Sequence, residues 1–142
     1  MIKTYNYTDN TQLSPHFNAQ EFRCKCGKAH DFQIDDDLIT KLEALYAALN
    51  CSKIIVTSGF RCAAHDKAVK GSGTGQHTRG KAADICCYGQ DGQPISSKTV
   101  CCKAQDIGFG GIAIPLLPTS IRTSMCAPAE SGTVMRFTAT AA

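Results

Sequence analysis

The sequence predicts an α+β fold, a single domain in which helices flank a small sheet. Three observations carry that prediction. Asp35 to Leu49 places Leu38, Leu42, Leu45 and Leu49 at helical spacing, joined by Ile39 and Tyr46. Lys53 to Thr57 (Lys-Ile-Ile-Val-Thr) is β-branched and Lys81 to Cys87 is small and apolar, so both read as buried strands. The chain has 142 residues, 43% hydrophobic and 19% charged, which is enough for one domain with its own core and too apolar for disorder.

Taken in order, residues 1–12 are polar and predict an arm along the surface. Leu13 to Phe22 opens the domain, and Ser14-Pro15 fits a helix N-cap with proline at the first position. Cys24 to Phe32 reads as an irregular loop. The helix from Asp35 begins with Asp35, Asp36 and Asp37, where the helix dipole favours negative charge, so this run is a capped, solvated end and not a metal cluster. The first strand delivers Ser58-Gly59-Phe60-Arg61 to its C-terminal end. Cys62 to Val69 predicts a short helix with His65 on its surface. Gly71, Gly73 and Gly75 mark a loop before the second strand. Tyr88 to Pro94 is a turn, Ser96 to Gln105 a helix, and Gly108 to Ala113 a tight turn into a third strand. No lysine-serine follows those glycines, so they are not a phosphate loop.

A net charge of +3 is too small and dispersed for nucleic acid, although it mildly favours approach to an anionic wall. No apolar run is long enough to cross a bilayer, so no membrane partner is expected and the chain reads as a monomer. Met1-Ile-Lys-Thr-Tyr-Asn-Tyr lacks the apolar core of a secretory signal, so synthesis is expected to end in the cytoplasm. Nine cysteines occur, with adjacent pairs at 86/87 and 101/102 that argue against a disulfide framework; most read as small buried hydrophobes. Cys24-x-Cys26 is the exception. With Cys51 or His30 it could form a small structural zinc site, although one residue intervenes where two to four are usual.

The chemistry concentrates in Ser72-Gly-Thr-Gly-Gln-His-Thr-Arg-Gly-Lys-Ala-Ala-Asp-Ile85. His77 and Asp84 are of the types that bind Zn²⁺, one leaving a loop and one on the adjoining strand, so they can converge on one ion. The donor fork of Arg61 suits a carboxylate or a developing oxyanion. Ser58-Gly-Phe-Arg61 followed by Gln76-His77-x-x-Gly80-x-Ala82-x-Asp84 resembles the zinc D-Ala-D-Ala carboxypeptidases. These are peptidoglycan peptidases of the Hedgehog/DD-peptidase fold, many of them phage or prophage endolysins. The resemblance runs from about Leu13 to Ala113 and includes Ser14 to Phe22 and Gly108 to Ala113; Cys62 stands where serine is commoner. It implies a small antiparallel sheet with flanking helices. It implies Zn²⁺ held by His77 and Asp84, a catalytic and substrate-binding Arg61, and substrate contacts from Ser58 and Gln76. The implied reaction is hydrolysis of an amide in the peptidoglycan stem peptide, at the bacterial cell wall after phage-type release.

The tail departs from that pattern. The resembled family ends on a strand with His-x-Asp, whose histidine is the third zinc ligand. No histidine follows Ala113 here, and Pro115, Pro118 and Pro128 interrupt the segment. Read one base out of frame, the codons of Arg122 to Ala127 are compatible with His-Ile-Asp-Val-Arg, as a frameshift between Ala113 and Thr119 would produce. Residues 13–113 are therefore expected to form the domain, and 114–142 to be foreign to it, leaving the sheet one strand short. Cys126, Glu130 or another cysteine could stand in for the ligand, and no spacing selects among them. Three readings follow: a zinc peptidoglycan peptidase impaired by its tail; a non-catalytic wall-binding or relic domain; and a cysteine-rich module whose zinc follows Cys24 and Cys26.

Overall fold

Helix α1 (Asp36–Ala48) forms where the leucine spacing predicts it, and buries Leu38, Ile39, Leu42 and Leu45. Each such side chain contributes about 1.5–3 kcal/mol on burial. Asp35 caps the helix by accepting the Asp37 N–H at 2.9 Å. The acidic run is thus a helix cap as expected, but its first member is not solvated: Asp35 is buried, with Lys81 Nζ 4.0 Å from its carboxylate. The computed structural model describes residues 1–68, 75–109, 111–113 and 135–138.

Before α1 lie four short strands. β1 (Ile2–Tyr5) pairs antiparallel with β4 (Phe32–Asp35), so part of the expected N-terminal arm is tied into a two-stranded ribbon. β2 (Gln12–Ser14) pairs antiparallel with β3 (Phe17–Asn18). This hairpin stands where Ser14-Pro15 predicted a helix start. The reason is a competing cap. Asn18 and Glu21 form a reciprocal capping box for a single 3₁₀ turn, Ala19–Phe22. The Ser14 hydroxyl is occupied elsewhere, donating to Glu43 at 2.6 Å. Glu43 also accepts the His16 N–H at 2.8 Å, and the His16 ring stacks on Tyr46. His16 is thus a packing residue.

After α1, β5 (Lys53–Ser58) pairs antiparallel with β6 (Ala82–Tyr88). β5 alternates, burying Ile54 and Val56 and exposing Ile55. β6 is buried nearly throughout, as befits a strand flanked on both sides. Between them are α2 (Ala63–Ala68) and a 3₁₀ turn, Gln76–Arg79. α3 (Ser97–Ile107) follows, capped by the Ser96 side chain, and then β7 (Gly111–Ala113). β8 (Met135–Thr138) inserts antiparallel between β6 and β7, giving the sheet order β5-β6-β8-β7. The position expected to stand vacant is filled from the tail. The out-of-frame motif at 122–127, Cys126 and Glu130 lie outside the described residues.

The core joins Phe17, Phe22, Phe32, Ile34, the inner face of α1 and the buried sides of β5 and β6. Cys51, Cys87 and Cys101 pack within it as small hydrophobes. Seven of the described cysteines are free thiols; Cys102 is disulfide-bonded, against the expectation for the adjacent pairs. Among the described residues no helix is long and apolar enough to cross a membrane.

Candidate metal centre

Two segments build the centre by hydrogen-bonding to each other. The Arg61 N–H donates to the His77 carbonyl at 3.1 Å. In return, the Gly59 carbonyl lies 2.7 Å from His77 Nδ1. A carbonyl can only accept, so Nδ1 carries the proton and Nε2 keeps its lone pair. Glycine is needed at 59 because a Cβ there would fall 2.6 Å from the Phe22 Cα and 2.8 Å from its carbonyl oxygen. Gly80 closes the 3₁₀ turn at φ +73°, where a Cβ would meet the Gln33 carbonyl oxygen at 2.4 Å. That close approach seats the 3₁₀ turn carrying His77 against β4.

Asp84 is reached from β6, in register opposite Ser58 across a bulge. Its Oδ1 lies 3.5 Å from His77 Nε2. Both side chains are buried, and Nε2 has no hydrogen-bond partner. Two ligands on a tetrahedral zinc, each about 2.1 Å from the metal, stand about 3.4 Å apart. An orphaned buried nitrogen at that separation from a carboxylate oxygen fits a divalent ion shared between them, since a buried acceptor without a partner is otherwise costly.

Arg61 is also buried, and three of its donors are engaged. Nε donates to the Ser58 hydroxyl at 3.0 Å, one terminal nitrogen to Asp66 Oδ1 at 3.2 Å, and the other to Asp84 Oδ2 at 2.9 Å. The sequence pointed to Arg61 and Ser58 as substrate contacts; the structure brings them together, but around Asp84. One guanidinium thus ties together two buried carboxylates that arrive from separate elements. Asp66 was missed by the sequence reading, which singled out only its neighbour His65. The signal lay in Asp66's position on α2, five residues after the arginine. Gln76 is at the edge of the centre, with Oε1 buried and without a partner.

A family model described as Peptidase M15 matches residues 15–113, well over half of the chain. The chain belongs to the Peptidase M15 family. No curated protein matches it. The M15 match covers both halves of the centre and stops before the tail, in the way the motifs do. M15 enzymes are zinc metallopeptidases, and His77 and Asp84 are of residue types that bind zinc.

The third ligand is the departure. β8 runs beside β6 with Arg136 in register with Asp84, and its sequence, Met-Arg-Phe-Thr, contains no residue type that binds zinc. Among the described residues, the group of three or more closely gathered His, Cys, Asp or Glu side chains lies elsewhere, at Cys24, Cys26, His30 and Cys62. Its thiols are unlike one another. Burial pushes the Cys24 thiol up to about 11, while the Lys28 N–H draws Cys26 down to about 7. Cys51, the other candidate partner for Cys24-x-Cys26, is instead buried against Cys87.

Proposed function

We propose that this M15 chain is a zinc-dependent peptidase acting on the stem peptide of peptidoglycan at the bacterial cell wall, with its metal held by His77 and Asp84. The observation that carries the reading is His77 Nε2: buried, without a hydrogen-bond partner, and 3.5 Å from a carboxylate oxygen. Zinc bound there would lower the pKa of a water towards neutrality and polarise the scissile carbonyl. The chain's own residues prepare the position. Gly59 fixes the tautomer of His77 through its carbonyl. Arg61 grips Asp84 Oδ2 and leaves Oδ1 towards Nε2, so it acts as a positioning residue, and Ser58 steadies it from the other side. Gln76 Oε1 is the acceptor we assign to a substrate amide N–H.

The test is zinc content and turnover of a defined muropeptide, read as released D-alanine or new amino termini, for the wild-type chain beside His77→Ala. The reading expects both to fall together. It is overturned if turnover survives the substitution, or if zinc content does not change.

A second reading has one observation in its favour. β8 fills the strand next to Asp84 without bringing a ligand. A catalytic zinc takes three protein ligands, so a chain with two would hold the metal weakly and keep the fold as a wall-binding or relic domain. A folded chain that sediments with cell walls, binds no zinc at His77 and turns over no muropeptide would establish this reading over the first.

A further inference from the structure

The Cys24–Cys26–His30–Cys62 gathering has no part in the centre just described. Cys24, Cys26 and His30 sit on the loop between the 3₁₀ turn at Ala19–Phe22 and β4; Cys62 follows Arg61 directly, at the mouth of α2. One ligand atom from each of the four lies within 4.8 Å of every other. Zinc bound by three sulfurs and one nitrogen separates its ligand atoms by about 3.6–3.8 Å, so the cage closes by shifts of an ångström or less.

The surroundings are those of ligands as well. His30 Nδ1 lies 2.7 Å from the Asp31 carbonyl oxygen, which must accept, so Nδ1 carries the proton and Nε2 is free to coordinate. Nε2 is the nitrogen turned inward, 3.1 Å from Cys26 Sγ. Backbone N–H groups point at two of the sulfurs: Lys28 N–H at Cys26 Sγ and Cys62 N–H at Cys24 Sγ, both at 3.4 Å. Such donors stabilise thiolates. Gly27, at φ +83°, makes the tight turn that lets Cys26 and the Lys28 N–H face the same point. The His30 ring also meets Phe60 edge-on, which ties the loop to the strand end bearing Arg61.

We propose that Cys24, Cys26, His30 and Cys62 form a closed structural zinc site, separate from the His77–Asp84 centre. A full set of four protein ligands leaves no position for water or substrate, so the site is structural. Its effect is to clamp a loop with little regular structure onto the Ser58-Gly59-Phe60-Arg61-Cys62 turn, and so to hold Arg61 where it orients Asp84. The narrow Cys-x-Cys spacing is explained by Cys62. The pair does not have to bite one ion from a single knuckle, because the fourth ligand arrives from a distant segment, the residue before α2.

Cobalt substitution tests the site in the full chain. Co²⁺ bound by thiolates gives a sulfur-to-metal charge-transfer absorption in the near ultraviolet. The proposal expects this band in the wild type and in His77→Ala, and its loss in Cys26→Ser and Cys62→Ser. Because a cysteine variant can fail to fold, wild-type protein is also alkylated with iodoacetamide, with zinc and after chelation, and the modified cysteines are mapped by mass spectrometry. Zinc is expected to slow modification of Cys26 and Cys62 by about tenfold or more, and to leave Cys86 unchanged. Absence of the charge-transfer band from folded wild-type protein overturns the proposal, as does equal labelling of Cys26 and Cys62 with and without zinc. The peptidase reading, on which this site does not rest, fails on a different result, turnover or the full wild-type metal content surviving in His77→Ala, so the two are judged separately.

Discussion

The two ligand clusters flank the same five residues, Ser58 to Cys62, and differ in nearly everything else. The proposed ligands His77 and Asp84 offer one nitrogen and one oxygen, buried on a 3₁₀ turn and a central strand, inside an ion-pair network with Arg61 and Asp66. The proposed structural site has four ligands, Cys24, Cys26, His30 and Cys62, three of them sulfur, drawn from a largely exposed loop and the residue before α2. The difference teaches that ligand count and rigidity are separate properties. Among the described residues the first cluster is held firmly and offers two ligands, and the second offers four on a weak scaffold. A metal in the second adds order. A metal in the first adds chemistry, and only if a third ligand is found.

The largest expected effect comes from removing the imidazole of the first cluster. His77→Ala should lower turnover and metal occupancy at that centre by more than about 100-fold, because loss of groups that merely orient a ligand already costs about 10–100-fold. Cys62→Ser should leave one metal per chain at His77 and Asp84. Metal analysis of the two variants side by side checks this. If His77→Ala loses the same metal as Cys62→Ser, the molecule has one centre and the comparison collapses.

Next is the charge network, which only the first cluster possesses. Arg61→Gln removes the buried cation that Asp66 and Asp84 share. It should destabilise the fold by about 3–5 kcal/mol, measured by urea denaturation of metal-free protein. Cys62→Ser under the same conditions should cost less than about 1 kcal/mol, since it changes one half-buried atom. Equal losses would mean that the network is solvated and the first cluster is no more rigid than the second.

A smaller effect is expected where the clusters share backbone. Gly59→Ala pushes a methyl into Phe22, with contacts of 2.6 Å and 2.8 Å to main-chain atoms. Main chain cannot step aside as a side-chain tip can. The cost should be about 1–3 kcal/mol by urea denaturation. Metal affinity should weaken at His77, whose tautomer depends on the Gly59 carbonyl, more than at the cysteines. Titration with a competing chelator separates the two.

What was legible in the sequence follows from how local each cause is. The leucines of α1 and the β-branched run of β5 are periodic signals, and both elements lie within a residue or two of where they were placed. His77 and Asp84 were legible because one short motif holds both. The hairpin at Gln12–Asn18 was not, because Ser14 was judged as a cap without knowing that Glu43, 29 residues later, would take its hydroxyl. Arg61 was legible as important, but its partners were not. Whether a guanidinium faces a substrate or two carboxylates depends on Asp66 and Asp84 arriving from separate elements. The cysteine cluster was half legible: Cys24, Cys26 and His30 are neighbours, and only the fold brings Cys62 to them. β8 was not legible at all, since Met-Arg-Phe-Thr is too short to show a period.

The smallest predicted effect supplies the control for both clusters, because it comes from a carboxylate in neither. Burial tends to raise the carboxyl of Glu43, but hydrogen bonds from Ser14 and His16 outweigh it and hold the group below its ordinary value of 4.5. The unfolded chain, with the higher value, binds the proton first as pH falls. The stability contributed by Glu43 is therefore fully present above about pH 4.5 and is lost as the pH drops through the lower folded-state value. Glu43→Gln should lower stability at neutral pH by up to about 1 kcal/mol. The gap between wild type and variant should close as the pH falls below about 4.5, while metal content per chain stays the same at pH 7. A gap that widens towards acid would show that Glu43 is not held ionised by the hairpin. A change in metal content would show that packing between the hairpin and α1 reaches the clusters, and the contrast between a rigid centre and a metal-ordered loop would then have to be redrawn.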